Sequence, residues 1–332
     1  MASLPRLDLR RLTTDRAAFL AALRAAARDP GFFYLTGHGV DPALEANVVR
    51  EAHRFFALPE AEKLAVQMVH SPHFRGYNRA GAELTRGRPD WREQFDVHAE
   101  RPPLPPRPGA PAWTRLQGPN LWPAAQPSLR PALLAWQTAL TDLGLGLLRA
   151  FAEALEQPAD AFEPLHGDAP GQNLKIIRYP ALARDAEEQG VGPHKDSGLL
   201  SFVLQDAVGG LQVETRDGWV DAPPIPGTFV VNIGELLELA SDGYLRATVH
   251  RVLSPRGADR LSVAFFLGAR LEATVPVLAL PPHLAREAEG PEADPANPLL
   301  RSVGENILKG RLRSHPDVAE RHYTDLLAET AR

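Results

Sequence analysis

Three residues have the types and spacing to hold one metal ion. His194 and Asp196 lie two apart in GPHKDSG, and His250 follows 54 positions later in ATVHRVL. In a strand or a tight turn, residues two apart point to the same side, so an imidazole and a carboxylate can meet one ion. Two neutral imidazoles and one carboxylate on one face of an octahedral ion leave three positions open. That set favours Fe(II) and admits a bidentate cosubstrate together with dioxygen. The chain has no cysteine, so thiolate sites, disulfides and cysteine nucleophiles are excluded, and any metal must be held by His, Asp or Glu. A lone H-x-D arises by chance in many chains, so its company matters. Of the other histidines, His53, His70, His283, His315 and His322 sit among polar neighbours and read as surface or capping residues.

Ten residues after His250, Arg260-Leu261-Ser262 opens the run RLSVAFF. Arg and Ser two apart share a face, and a guanidinium fork beside a hydroxyl suits a carboxylate. An arginine on an apolar strand needs an anionic partner. Tyr179, in IIRYP, can add its hydroxyl to the same carboxylate.

The elements that must carry these residues change character along the chain. Leu7 to Leu9 is a short strand candidate, and residues 14–28 place Phe19, Leu20, Leu23 and Ala27 at helical spacing. GFFYLTG from Gly31 reads as a buried strand. A second helix starts at Asp41-Pro42, a cap followed by proline in the first turn, with Leu44, Val48, Ala52 and Phe55 on its apolar face. From about 70 to 125, a stretch rich in Arg, Gly and Pro reads as a long ordered loop system. An amphipathic helix carrying Leu133, Trp136, Leu140, Leu143 and Leu147 follows. From about 172 to 268 come short strand-like runs: LKIIRY, LLSFVL, LQVE, WVDA, TFVVNI, ATVHRVL and RLSVAFF. The turn residues between them point to a sandwich or barrel rather than a parallel α/β sheet. The tail from about 301 returns to helix.

Bulk properties narrow the partners. Net charge is −5, which offers no general attraction to nucleic acid or an anionic membrane. No run is long and apolar enough to span a bilayer, and MASLPRLDLRRL lacks the apolar core of a signal peptide, so a cytoplasmic location is expected. A small-molecule substrate is expected. No interface signal stands out, and a monomer is favoured.

The order H-x-D, about fifty residues, H, ten residues, R-x-S resembles the isopenicillin N synthase-like family of Fe(II)/2-oxoglutarate-dependent dioxygenases, here a microbial member. GFFYLTGHGV, RGYNRAGAE, GPNLWP, the YP of IIRYP, LQDAVGGLQVE, WVDAPPIPGTFVVNIGELLE, TVHRVLSP and GENILKGRLRSHP resemble its other landmarks, so the likeness covers nearly the whole chain. It implies a mainly β, α+β fold: a distorted double-stranded β-helix, or jelly roll, with helical N- and C-terminal parts. Residues 1–332 then form one catalytic unit. Residues 1–125 are its N-terminal helix, strand and loop region. Residues 126–300 hold the long helix and the core with the iron site, and 301–332 are the C-terminal helices. The resemblance implies His194, Asp196 and His250 as iron ligands. It implies Arg260, Ser262 and Tyr179 on the distal carboxylate of 2-oxoglutarate, which is decarboxylated to succinate as O2 is consumed. Hydroxylation, desaturation or ring closure of the substrate can follow.

Two positions depart from the plant pattern: Lys195 stands where Thr is usual between the first two ligands, and Ile177 where Asn is usual before the tyrosine of Y-P. Lys195 is expected to point away from the metal. In the resembling family the region from Arg75 to His98 covers the barrel mouth, so Arg75, Arg79 and Glu83, with Arg178 from the neighbouring strand, are substrate candidates. The excess of basic side chains there favours a carboxylate-bearing substrate such as an amino acid derivative. Rival readings are a same-fold oxidase that does not use 2-oxoglutarate, a non-catalytic binding module, and an ethylene-forming activity.

Overall fold

The computed structural model describes residues 3–105, 107–183, 188–292, 294–295 and 297–330. Position 106 of the proline-rich loop and the last two positions of the expected C-terminal helices lie outside the described residues. In chain order the strands are β1 (Arg6–Asp8), β2 (Phe32–Thr36), β3 (Gly76–Asn78), β4 (Leu84–Thr85), β5 (Arg88–Pro89), β6 (Glu93–His98), β7 (Gly171–Tyr179), β8 (Gln189–His194), β9 (Leu200–Gln205), β10 (Leu211–Thr215), β11 (Gly218–Asp221), β12 (Phe229–Ile233), β13 (His250–Leu253) and β14 (Arg260–Gly268). One sheet runs β1-β2-β12-β9-β14-β7-β6-β3 and a smaller one β11-β10-β13-β8, while β4 and β5 form a hairpin. The β1–β2 pair is parallel and the pairs that build the rest of both sheets are antiparallel. This is the jelly roll that the family resemblance implies, and it agrees with the sandwich or barrel that the strand pattern suggests.

Both faces of the large sheet are covered, and β14 shows how. Leu261, Val263, Phe265 and Leu267 join one apolar core with Phe19 and Leu23 of the Arg16–Arg28 helix, Phe55 of the Pro42–Phe56 helix, and Trp136, Leu140 and Phe151 of the Leu129–Ala154 helix. Ala264 and Phe266 turn the other way. They meet Ile177 and Tyr179 of β7, Val191 of β8, Val213 of β10 and Val252 of β13, in a second core between the two sheets. Arg260 and Ser262 share this inner face by the two-residue period of the strand. The Asp41 carboxylate accepts the Ala43 N–H at 2.8 Å, and Pro42 occupies the first turn, so that helix starts where the cap predicts.

Three elements differ from the sequence reading. The stretch from 70 to 125 is not wholly loop, because β6 pairs with both β7 and β3. Phe95 and Val97 join the helix-side core, while Gln94 and Asp96 are also buried. A strand that hides polar residues on one face lacks the apolar-in, polar-out pattern that reveals strands. Strand β8, QGVGPH, is not among the strand-like runs, and the sequence leaves His194 in a strand or a tight turn. The third is the Glu235–Ala240 helix, inside the stretch from 172 to 268 that reads as short strands.

That helix fixes the segment after the first two candidate ligands. Its first N–H groups have no partner within the helix. They donate outward instead: Gly234 to Leu199 O at 2.9 Å, Glu235 to Asp196 O at 2.8 Å and Leu236 to Gly198 O at 3.0 Å. A Cβ on Gly234 would fall 2.2 Å from the carbonyl oxygen of Gly198. Gly234→Ala must therefore push apart the backbones that hold Asp196. We expect a loss of about 1–3 kcal/mol in urea unfolding, together with weaker Fe(II) binding by competition with a chelator. Unchanged iron affinity would show that this docking does not set the Asp196 position.

Candidate active site

Pairing of β13 with β8 sets His250 opposite His194, with ring centroids 4.3 Å apart. Asp196 lies just beyond the end of β8. Its Oδ1 is 3.6 Å from His194 Nε2 and 3.7 Å from His250 Nε2. Other bonds orient each group. His194 Nδ1 lies 2.8 Å from Gly192 O and His250 Nδ1 lies 3.2 Å from Thr248 O. A carbonyl only accepts, so each Nδ1 carries the hydrogen and each Nε2 presents its lone pair. Asp196 Oδ2 accepts from Ser201 Oγ at 2.5 Å and Asn232 Nδ2 at 2.8 Å, which leaves Oδ1 for a cation. Burial, and then the neighbouring His250, push His194 down to about 4, so it is neutral at neutral pH. Burial raises the Asp196 carboxyl, but the two histidines and its hydrogen bonds outweigh this and lower it. Two imidazoles and one carboxylate, converging with outer-sphere support, fit a divalent transition metal with open positions.

The same inner face of β14 carries a buried cation. Arg260 is 1% exposed and stands opposite Tyr179 on β7, its guanidinium 4.9 Å from that ring. Nε donates to Val208 O at 3.2 Å and Nη2 to Gln205 Oε1 at 3.0 Å. Nη1 has no partner, and no carboxylate of the described residues forms an ion pair with this side chain. Ser262 is opposite Gln205 and two residues from Arg260 on the same face. An unpaired buried guanidinium with a hydroxyl nearby fits the distal carboxylate of a keto acid.

A cavity of about 1000 Å³ is lined by His194 and Asp196 and by groups from β7, the β4–β5 hairpin and the Val303–Ser314 helix. Arg75 and Glu83 are both in its wall. Arg79 is exposed and Arg178 is absent from the lining, so the structure does not bring either to the cavity. For Arg178 the reason is strand parity. Tyr179 faces inward, so its neighbour faces outward, where it pairs with Glu93 at 2.5 Å and Asp259 at 2.6 Å. Lys195 reaches Glu238 at 3.3 Å and Glu292 at 2.8 Å rather than the candidate ligands. Ile177 is buried in the inter-sheet core and offers no polar contact.

His315 is a correction: it is fully buried, not a surface or capping residue. The C-terminal helix returns across the barrel mouth and brings Arg311 and His315 to a polar cluster that sequence reasoning missed. Asp96 takes Lys175 at 2.9 Å and Arg311 at 3.3 Å. Glu83 takes Arg92 at 2.8 Å, Gln94 at 2.6 Å and Lys175 at 3.4 Å. Burial raises the Glu83 carboxyl, but Arg92 and Lys175 overcome it and hold it well below its usual range. The alternation of Gln94, Asp96 and His98 was the available signal, obscured because β6 was read as loop.

The fold and the converging His-Asp-His group define a non-haem iron oxygenase of the jelly-roll class. Residues 4–125 match the family described as non-haem dioxygenase in morphine synthesis N-terminal, and residues 170–269 match the 2OG-Fe(II) oxygenase superfamily. The 2-oxoglutarate-dependent dioxygenase frbJ of Dothideomycetidae sp. (strain 11243) is 38% identical over 98% of this chain and 94% of its own. A homoarginine-6-hydroxylase of Oryza sativa subsp. japonica is 37% identical over 83% of this chain and 84% of its own. A Neurospora crassa protein solved with alpha-ketoglutarate and thymine superposes with a TM-score of 0.74, at 25% identity, over 92% of this chain and 96% of its own. The chain belongs to the 2OG-Fe(II) oxygenase superfamily: it is an enzyme that uses Fe(II), 2-oxoglutarate and O2.

Stability should track the buried histidine. Burial pushes His315 down to about 4, although Glu83 lies 3.5 Å away. Between about 4 and the usual histidine value near 6.5, the unfolded chain binds a proton that the folded one refuses, so stability rises with pH across that window. We expect the thermal midpoint of the wild type to fall on acidification from 6.5 toward 4. His315→Asn should fall less steeply over the same interval. Equal slopes would mean that His315 does not carry the effect.

Proposed function

We propose that His194, Asp196 and His250 hold Fe(II), and that Arg260, with Ser262 and Tyr179, holds the distal carboxylate of 2-oxoglutarate. The substrate in this reading is a small polar molecule bound in the cavity above, within reach of Arg75 and Glu83. The observation that carries the reading is the joint one: three ligand atoms converge, and a buried guanidinium lacks a counter-ion. Iron with 2-oxoglutarate and dioxygen supplies the oxidising equivalent and yields succinate and CO2. The protein supplies geometry and charge. Gly192 and Thr248 carbonyls aim the two imidazoles, Ser201 and Asn232 hold the unused carboxylate oxygen, and Arg260 sets the depth of the keto acid. The buried walls exclude water from these contacts and strengthen them. An amino acid derivative fits both the polar cavity wall and the relative that carries homoarginine in its name. A cytoplasmic setting fits the supply of 2-oxoglutarate. The named 2-oxoglutarate-dependent relatives favour this reading over a same-fold oxidase.

Anaerobic reconstitution with Fe(II) and 2-oxoglutarate, then a substrate screen read by succinate release, tests the whole. His194→Ala, Asp196→Ala and His250→Ala should each abolish turnover and strongly weaken iron binding. A variant that kept near-normal iron affinity and activity would remove that residue from the ligand set.

Arg260→Ala should weaken 2-oxoglutarate by roughly 2–5 kcal/mol, or about 30-fold to several-thousand-fold. Arg260→Lys should recover only part, since the charge stays but the fork is lost. Unchanged cosubstrate affinity in Arg260→Ala would defeat the assignment.

A further inference from the structure

Among the described residues, four Lys or Arg side chains are buried: Lys63, Arg75, Lys175 and Arg260. Lys63 pairs with Glu93 at 2.9 Å, and Lys175 with Asp96 at 2.9 Å. The other two form no ion pair with the described residues. For Arg260 the missing anion is accounted for by the cosubstrate. Arg75 has the same deficit, and 2-oxoglutarate does not explain it.

Arg75 is 4% exposed and stands in the cavity wall. Nη1 donates to His73 O at 2.8 Å and Nη2 to Leu116 O at 2.9 Å, while Nε has no partner. Two of the five N–H groups of a guanidinium are thus used, and both go to neutral carbonyls. An uncompensated buried charge is costly, and removal from water is repaid only by an opposite charge with good hydrogen bonds. Its surroundings make the deficit larger. Burial pushes Arg75 down to about 9, and Arg311 and Arg101 push the same way while Asp96 opposes them. Arg101 also lines the cavity, where its Nη2 donates to Pro170 O at 3.0 Å. Arg311 shares its guanidinium between Asp96 at 3.3 Å and His98 Nε2 at 3.1 Å. Burial, and the charges of Arg75 and Arg311, hold His98 well below its usual range, so it is a neutral neighbour that accepts from Arg311.

We propose that Arg75, flanked by Arg101 and Arg311, is the anion subsite for the primary substrate, and that the substrate enters as a carboxylate. This rests on the oxygenase reading above and sharpens it: Arg260 takes the carboxylate of the cosubstrate, and Arg75 takes that of the molecule to be oxidised. One carboxylate at Arg75 would give that guanidinium its counter-ion and occupy its unused N–H groups. Anchoring the acid end on the wall that joins the 70–125 segment to the C-terminal helix leaves the rest of the molecule to extend toward His194 and Asp196, which line the same cavity.

The test uses the full chain, anaerobic, with Fe(II) and saturating 2-oxoglutarate. Forming the visible charge-transfer band on adding 2-oxoglutarate reports the oxygenase reading alone; its absence in the wild type would sink that reading whatever Arg75 does. The band is then titrated with matched acid and amide pairs: L-homoarginine and L-homoargininamide, phenylacetate and phenylacetamide, hexanoate and hexanamide. We expect at least one acid to perturb the band with about 30-fold or greater preference over its amide. Arg75→Gln should collapse that preference to within a few-fold, and Arg75→Lys should restore part of it. Arg101→Gln, at a half-exposed position, should reduce the preference without disturbing the buried carbonyls. No acid favoured over its amide, silence from every acid included, would overturn the proposal. So would full preference retained in Arg75→Gln, or a variant whose only defect was weaker 2-oxoglutarate binding.

Discussion

Strand β13 pairs with β8 so that two imidazoles face one another, and much of the site follows from that pairing. The hydrogen-bond ladder brings His250 to His194 across the smaller sheet, although the chain travels through four strands and a helix between them. Asp196 sits just past the strand end, where the backbone is free to turn its carboxylate toward both rings. The N-terminus of the Glu235–Ala240 helix then clamps the carbonyls of the segment that follows. Ser201 and Asn232 hold one carboxylate oxygen, which directs the other to the imidazoles. Each contact is an ordinary hydrogen bond of modest net value, but together they leave the three donor atoms little freedom to move apart.

Charge is the second organising constraint. The interior of the barrel and its mouth bury many ionised side chains, and most are matched. Lys175 lies between Asp96 and Glu83, Arg92 meets Glu83, and Arg311 meets Asp96. Against that background the guanidiniums of Arg75 and Arg260 stand out, because a low-dielectric interior tolerates a lone cation poorly. The spatial order is also informative. Arg260 starts β14 on its inner face, and Phe266 near the other end of that face lines the cavity. His194 and Asp196 line the same cavity as Phe266.

Several readings of the strand region carried over to the structure because they rest on local rules. Alternation along RLSVAFF correctly sets Arg260 and Ser262 on one face, and the Asp41-Pro42 cap starts its helix. The same rule, applied to Arg178, would have excluded it from the barrel, since its neighbour Tyr179 faces in. Local rules failed where burial was polar. Strand β6 hides Gln94 and Asp96 from water, so its pattern did not look like a strand with one wet face. His315 looked solvated for the same reason: its sequence neighbours are polar, but the turn between two C-terminal helices packs it against Phe74 and Glu83.

The sequence by itself determined the chemistry available: three candidate ligands, a guanidinium and hydroxyl two residues apart, and no thiol to compete. Residue type and two-residue spacing are local properties, so no tertiary contact was needed to read them. Tertiary structure alone decided which polar residues are buried together and which of their charges go unpaired. Arg75 is one arginine among several in its loop until His73, Leu116 and the returning C-terminal helix enclose it. Burial and ion pairing depend on segments far apart in the chain, and the cost of an unmatched charge appears only once those segments have excluded water around it.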